Sequence, residues 1–448
     1  MMKIAVIGTG YVGLVSGVCL ASKMHSVTCF DINENTINQL KDEICHIHEN
    51  GLQEVLSQAK FNIHFEYLNE HTENMLMDFD AVMVAVGTPT VNGSADLSQI
   101  ESVALMMGRL IKNSNKYISI IIKSTVIPGT TDTYFRNILE QESGKKLGDF
   151  GLGMNPEFLR EGCAVEDFLY PDRIVLGYED SKTLEVLERI YKPWDCDKLK
   201  LNTRSAEMMK YVNNSLLATL ISTVNEYSNI ARKIGGINFD KVMKGVHLDN
   251  RWTPINKNGK KIIPKIIDYL KPGCGYGGSC FPKDVMAISA LAEDVGVPAR
   301  ILSSVIEVND KQPEVILDIL ENEVDRLKDK NILMLGLAFK PDTDDVRESV
   351  SLKLMKLLDN KGVRKILAHD PIAISNAKKV IEPSAKVDYV NDWQSIVPDT
   401  DIIIISTNWI HYKDLSNMSE ILLGKVILDA RSLLNKSVFP NSKYITVN

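Results

Sequence analysis

Lys3-Ile4-Ala5-Val6-Ile7-Gly8-Thr9-Gly10-Tyr11-Val12-Gly13 reads as a short buried strand running into a glycine-rich turn. A helix from about Leu14 to Lys23 follows, then a second strand, Val27 to Phe30, ending at Asp31. In this strand–turn–helix–strand setting GxGxxG is the dinucleotide fingerprint. Gly8 makes the tight turn, Gly10 admits a pyrophosphate, and Gly13 lets the helix pack on the sheet. The helix N-terminus at Tyr11 and Val12 faces the phosphates. Asp31, 18 residues after Gly13, is placed to accept the ribose 2′-OH, which favours NAD over NADP. The apolar run from Ile4 to Ala21 resembles a secretory signal, but its glycines fit the fingerprint better and no small-x-small cleavage site follows.

Further strands are expected at Ala81–Val86, running into Gly87-Thr88-Pro89-Thr90, and at Tyr117–Ile122, running into Lys123-Ser124-Thr125. Ligands of an open α/β sheet lie off the carboxyl ends of its strands. Thr88, Pro89 and Thr125 are therefore expected at the cofactor. Asn155-Pro156-Glu157-Phe158-Leu159-Arg160-Glu161-Gly162 places two carboxylates four residues apart, on one face if the stretch is helical. From Arg204 to Ile234 no Gly or Pro interrupts a helical apolar stripe at Met208, Val212, Leu216, Ile221 and Val224. Such a helix is about 45 Å long, a spine between domains and a homodimer interface. Lys210 and Asn214 stand one turn apart on it.

Gly273 to Asp284, GCGYGGSCFPKD, carries the chemistry. Its glycines let the backbone approach a ligand. Pro282 suits the first turn of a helix, so Cys280 falls at a helix N-terminus, which favours a thiolate. Lys283 and Asp284 follow within the same turn, an ammonium to lower the thiol pKa and a carboxylate to move a proton. Cys274 lacks that setting and reads as structural. Ligand spacing for zinc is absent, so no metal is expected. The basic stretch from His247 to Ile267 is a solvated loop, or a wall for an anionic substrate with Arg251 as the contact. Glu314–Leu327 reads as a helix. Asn331–Phe339, Lys365–His369, Asp401–Ser406 and Lys425–Asp429 read as strands of a second doubly wound domain without the glycine fingerprint.

The 448 residues suit two to four domains. A net charge of -7 argues against a nucleic-acid partner. Seven cysteines, an odd count without paired spacing, suit a reducing, cytoplasmic setting. Apolar runs such as Ile402–Ile405 are far too short to span a bilayer. The expected architecture is α/β: two Rossmann-like doubly wound domains, 1–200 and 311–448, joined by a helical segment, 201–310.

Taken in order, GxGYVG, VGTPT, KSTV, NPEFLREG, AEMMKYVNN, GYGGSCFPKD and FKPDTDDVRES make the chain resemble the UDP-glucose/GDP-mannose dehydrogenase family from end to end. That resemblance implies NAD-dependent oxidation of a nucleotide-sugar primary alcohol to a carboxylate, with UDP-glucose as substrate and UDP-N-acetylhexosamine or GDP-mannose as alternatives. It implies that Cys280 captures the aldehyde and that Lys210, Asn214 and Asp284 serve the oxyanion and proton transfers. Glu157 and Thr125 would serve the acid/base and water steps. Glu161 and Arg347 would touch the cofactor. Phe158, Leu159, Arg251, Tyr276, Gly277, Lys340 and Arg431 would line the nucleotide sugar. Thr36 stands where the family often carries a Lys or Arg. A non-catalytic nucleotide-sugar-binding regulator would be expected to lack Cys280 or Lys210, and both are present. A two-electron hydroxyacid dehydrogenase would need neither Cys280 nor the C-terminal domain.

Overall fold

The computed structural model describes residues 1–91 and 93–447. The chain divides into two compact units, Met1–Asn213 and Asn214–Asn448. The boundary falls within one continuous helix, Thr203–Ile234.

The first unit is built on an eight-stranded sheet. Its strands are β1 (Lys3–Ile7), β2 (Ser26–Asp31), β3 (Ile63–Tyr67) and β4 (Ala81–Val84), then, after a small hairpin of β5 (Thr90–Val91) and β6 (Ser94–Ala95), β7 (Ser119–Ile122), β8 (Gly151–Met154), β9 (Arg173–Tyr178) and β10 (Asp197–Leu201). The order is β10-β9-β8-β7-β4-β1-β2-β3. All neighbours are parallel except β8 and β9. The chain winds outward from β1 to β3 and then returns to β4 on the other side of β1. The switch point between β1 and β4 is where such a sheet opens a crevice for a ligand. Both faces are covered: Ile4 and Val6 pack in one core cluster, while Ala5 and Ile7 pack in another. That two-sided burial explains why β1 reads as a continuous apolar run rather than an alternating one.

Helix α1 (Tyr11–Ser22) starts three residues earlier than expected, because Gly10 is already its N-cap. Gly8 turns the chain at φ +95°. A Cβ on Gly13 would lie 1.9 Å from the Gly8 carbonyl oxygen.

The second unit carries a six-stranded parallel sheet of β11 (Asn331–Leu335), β12 (Lys365–His369), β13 (Val387–Tyr389), β14 (Ile402–Ile405), β15 (Val426–Asp429) and β16 (Lys443–Thr446), in the order β13-β12-β11-β14-β15-β16. Its first turn repeats the geometry of the first unit. Gly336, at φ +97°, donates to the His369 carbonyl at 2.8 Å, and the Leu337 amide donates to Asp370 Oδ2 at 2.8 Å. In the first unit Gly8 donates to the Phe30 carbonyl at 2.8 Å and the Thr9 amide to Asp31 Oδ2 at 2.7 Å. Only the later glycines are missing. The expected strand Asn331–Phe339 therefore ends at Leu335, where the Gly336 turn begins.

One helix departs from expectation. The stretch expected to begin at Glu314 belongs to a helix over Arg300–Glu323 that runs through Pro313. Pro313 forfeits one backbone hydrogen bond, but Val305, Asn309, Gln312, Ile316 and Leu320 form one buried face across it. That face keeps the helix continuous.

Gly13→Ala is expected to cost about 1–3 kcal/mol through overpacking against the Gly8 carbonyl. Urea unfolding of the variant checks this; an unchanged midpoint would contradict the packing described.

Candidate active site

The turn after β1 has the shape a dinucleotide phosphate needs. Thr9 donates its hydroxyl to Asp31 Oδ2 at 2.8 Å, in addition to its amide, and the Asn33 amide donates to Asp31 Oδ1 at 2.9 Å. Asp31 is thereby fixed at the carboxyl end of β2, beside the turn. No atom lies within 4 Å of where a Cβ on Gly10 would stand, so the turn is open at that residue. The residues present fit NAD: Gly8, Gly10, Val12 and Gly13 form the turn and helix start, with Asp31 held next to them. Tyr11 is the first residue of the same helix, and its hydroxyl donates to Glu49. Thr88 is buried, and its hydroxyl donates to the Thr125 carbonyl at 2.8 Å. It ties the loop after β4, which continues into Pro89, to the loop after β7.

A polar cluster sits inside the first unit at the end of β8. Asn155 donates to the Val175 carbonyl at 2.8 Å and accepts from Lys123 Nζ at 2.7 Å and from the Tyr191 hydroxyl. Glu157 Oε1 meets Lys210 Nζ at 2.7 Å, and its Oε2 accepts from the Leu159 amide at 2.6 Å. Both partners of this ion pair are buried. Phe158 lies under Arg173, 4.1 Å from ring centre to guanidinium carbon. The stretch Asn155–Arg160 is not helical, so the shared helix face that the i,i+4 spacing of Glu157 and Glu161 allowed does not form. Both are buried. Burial, the largest influence, pushes the Glu157 carboxyl up, but the charge and hydrogen bond of Lys210, the Leu159 amide and Lys123 together hold it below its ordinary value. Burial pushes Lys123 down to about 8, with Lys210 adding to the fall and Glu157 opposing it.

Glu207, which sequence reasoning passed over, is fully buried on the helix Thr203–Ile234. It accepts from the Gly129 amide at 2.7 Å and the Thr131 amide at 2.8 Å, closing the loop that begins at Thr125.

In the second unit Cys280 is the N-cap of the helix Phe281–Asp294, with Pro282 in its first turn. Asp284 is buried within that turn. Its Oδ2 accepts from Asn214 Nδ2 at 2.7 Å and its Oδ1 from Lys283 Nζ at 2.6 Å. Lys283, expected beside the thiol, thus also pairs with the neighbouring carboxylate. Cys274 is fully buried, and burial pushes its thiol up. Three side-chain amides pin the glycine run. Asn225 Oδ1 accepts from the Gly273 amide at 2.8 Å, and Gln312 donates to the Gly273 carbonyl at 2.7 Å. Asn309 bonds both the amide and the carbonyl of Tyr276, at 2.8 and 3.1 Å.

Gly277 packs so tightly that a Cβ would lie 2.6 Å from the Glu348 carbonyl oxygen. The Gly278 amide donates to the Arg347 carbonyl at 2.8 Å. Lys340 Nζ lies 5.6 Å from the centre of the Phe339 ring, and Arg431 donates to the Phe339 carbonyl at 3.1 Å. Gly277, Lys340 and Arg431 are thus gathered around Phe339. Two assigned arginines have carboxylate partners: Arg251 is forked onto Asp249 at the surface, and the Arg347 guanidinium pairs with Asp345.

Three family models cover the chain. The NAD binding domain of the UDP-glucose/GDP-mannose dehydrogenase family matches residues 2–195, its central domain 204–311 and its UDP binding domain 333–436. The chain belongs to this family. It is 38% identical over 439 residues to a UDP-glucose 6-dehydrogenase of Rickettsia conorii, covering 97% of this chain and 96% of that one. It is 37% identical over 448 residues to UDP-glucose 6-dehydrogenase TuaD of Bacillus subtilis, covering 99% and 92%. A solved UDP-glucose dehydrogenase from Pyrobaculum islandicum superposes with a TM-score of 0.88 at 36% identity, covering 100% of this chain and 98% of that one. The family fits the doubly wound sheets and the glycine turn. Among the described residues no helix is long and apolar enough to cross a membrane.

Burial, against the opposing Thr131 and Gly129 bonds, pushes the Glu207 carboxyl from 4.5 up to about 7. Between those values the folded chain binds more protons than the unfolded one, so stability falls as pH rises through that window. The loss is on the order of 3 kcal/mol. Glu207→Gln is expected to flatten the dependence, measured as urea midpoints at pH 5 and pH 8. An unaltered slope would contradict the burial argument.

Proposed function

We propose that this chain is an NAD-dependent UDP-glucose 6-dehydrogenase, carrying out a four-electron oxidation to UDP-glucuronate. The observation that carries the reading is Cys280 at a helix N-terminus, with Asp284 one turn on and held by Asn214 and Lys283. The relatives named above, at 36–38% identity, support the substrate. We assign residues 1–200 to NAD, 201–310 to the central domain and 311–448 to the nucleotide sugar.

A primary alcohol oxidised twice at one carbon needs a holder for its aldehyde, and a thiolate serves. Bound NAD⁺ would supply the hydride acceptor, with a second NAD⁺ replacing the first NADH before the second oxidation. Asp284 and Lys210 accept and relay the proton of the C6 alcohol. Cys280 Sγ adds to the aldehyde carbon, and the carbonyl π pair moves onto oxygen. Lys210 and Asn214 stabilise that oxyanion with a cation and an amide donor. Loss of the second hydride leaves a thioester on Cys280. Glu157, kept ionised by its buried cations, takes a proton from a water positioned with Thr125. The water oxygen bonds to the acyl carbon and the thiolate leaves. Phe158, Leu159, Arg251, Tyr276, Gly277, Lys340 and Arg431 are assigned to the nucleotide sugar. Glu161, Thr88, Pro89 and Arg347 join the glycine turn at the cofactor.

A homodimer built on the long helix belongs to the same reading. Met208, Val212, Leu216, Tyr227, Ile230 and Ile234 are exposed on it, Leu216 by 60% and Ile234 by 69%. An exposed apolar surface of this kind marks an interface. Light scattering is expected to give twice the 50.1 kDa chain mass; a monomer at micromolar protein would contradict it. We place the protein in the cytoplasm on its cysteine usage.

Limiting UDP-glucose is expected to yield two NADH per sugar. A ratio of one with free aldehyde would overturn the covalent reading. Cys280→Ser is expected to lower turnover roughly 10³-fold or more, as for loss of a nucleophile, with UDP-glucose affinity unchanged. Cys274→Ser is expected to stay near normal, and the reverse result would move the nucleophile.

A further inference from the structure

The loop between the helices Glu34–Lys41 and Leu52–Ala59 carries a buried carboxylate that none of the assigned roles uses. Glu49 Oε2 accepts from the Tyr11 hydroxyl and from the Gly162 amide at 2.6 Å, and Oε1 accepts from the Ala164 amide at 2.8 Å. The Gly162 amide also reaches the Tyr11 hydroxyl at 3.2 Å. The next residue, Asn50, donates to the Gly162 carbonyl at 2.9 Å. Gly162 sits at φ +81°, directly after Glu161.

These contacts join two loops that the sheet leaves apart. Tyr11 begins the helix after β1, while Gly162 ends the loop launched by β8. In the strand order β8-β7-β4-β1 two strands lie between them, so their carboxyl ends are roughly 14 Å apart. Strands at that distance exchange no backbone bonds. One carboxylate, bonded to both sides, ties the glycine turn to the loop that carries Glu157 and Glu161. Its oxygens are buried acceptors with charge-assisted partners, the strong class of hydrogen bond. Removing the charge leaves buried donors facing a weaker acceptor.

We propose that Glu49 is a positioning residue for NAD, acting through Tyr11 and Gly162 so that cofactor binding at the glycine turn also orders the Asn155–Ala164 loop. The inference rests on the reading of the first unit as an NAD site. Glu161, assigned to the cofactor, is held through its neighbour Gly162. Glu157, assigned to the water step, lies five residues earlier in the same loop. Tyr11, expected at the phosphates, also transmits the position of the turn through its hydroxyl.

The test uses the full chain and NAD alone, by calorimetry and amide hydrogen exchange, with UDP-glucose kinetics alongside. Glu49→Gln is expected to weaken NAD binding about tenfold or more and to leave the KM for UDP-glucose within twofold. In the wild type NAD is expected to slow exchange at residues 160–165; in Glu49→Gln that protection is expected to vanish. Tyr11→Phe is expected to lose the same protection, and the double variant to bind NAD no worse than Glu49→Gln. Should Glu49→Gln fail to fold, Tyr11→Phe carries the test, because it keeps both amide bonds to Glu49. NAD affinity within twofold of wild type in the variant that folds, or undiminished protection of residues 160–165, would overturn the inference alone. Failure of the wild type to bind NAD would overturn the functional reading and the inference with it.

Discussion

A buried backbone N–H must find an acceptor, and the functional loops of this chain have no ladder to supply one. Each is closed by a buried or half-buried side chain. Asp31 takes the Thr9 amide at the glycine turn, Glu49 the amides of Gly162 and Ala164, and Glu207 those of Gly129 and Thr131. Asn225 and Asn309 do the same for Gly273 and Tyr276, and Asp370 for Leu337 and Ala338. The sheets supply rigid strand ends; these carboxylates and amides set where the irregular segments go from there. Because each acceptor is distant in sequence from its loop, placement of the reactive groups depends on tertiary packing.

The same economy of contacts fixes protonation. Glu157 is buried, which would neutralise an isolated carboxyl, yet Lys210 at 2.7 Å and the nearby Lys123 keep its charge favourable. Burying an ion pair carries a desolvation cost that close contact only partly offsets. Its retention here fixes the positions of both a carboxylate and a cation. Both oxygens of the buried Asp284 carboxyl are likewise bonded, one to Asn214 and the other to Lys283.

Much of this was legible in the sequence. The glycine spacing with Asp31 identified the first doubly wound sheet, and Pro282 after Cys280 marked the helix start. Those signals are local, set by backbone conformation within a few residues. Glu49, Glu207, Asn225, Asn309 and Gln312 gave no signal, since each looks like an ordinary loop or helix residue until a loop 33 to 115 positions away folds against it. Spacing put Lys283 near the thiol; that its ammonium also pairs with the adjacent carboxylate was not legible. Pro313 misled, because a buried face of five side chains outweighs one missing hydrogen bond.

In the proposed mechanism Cys280 holds the substrate covalently between the two oxidations. Rapid quenching of enzyme mixed with UDP-glucose and NAD, followed by intact mass and peptide mapping, would catch it there. A transient UDP-glucuronyl thioester is expected on the peptide containing Cys280 and on no other cysteine peptide, appearing before the acid is released. A full turnover to UDP-glucuronate with no adduct at any quench time, or an adduct on Cys274, would contradict it.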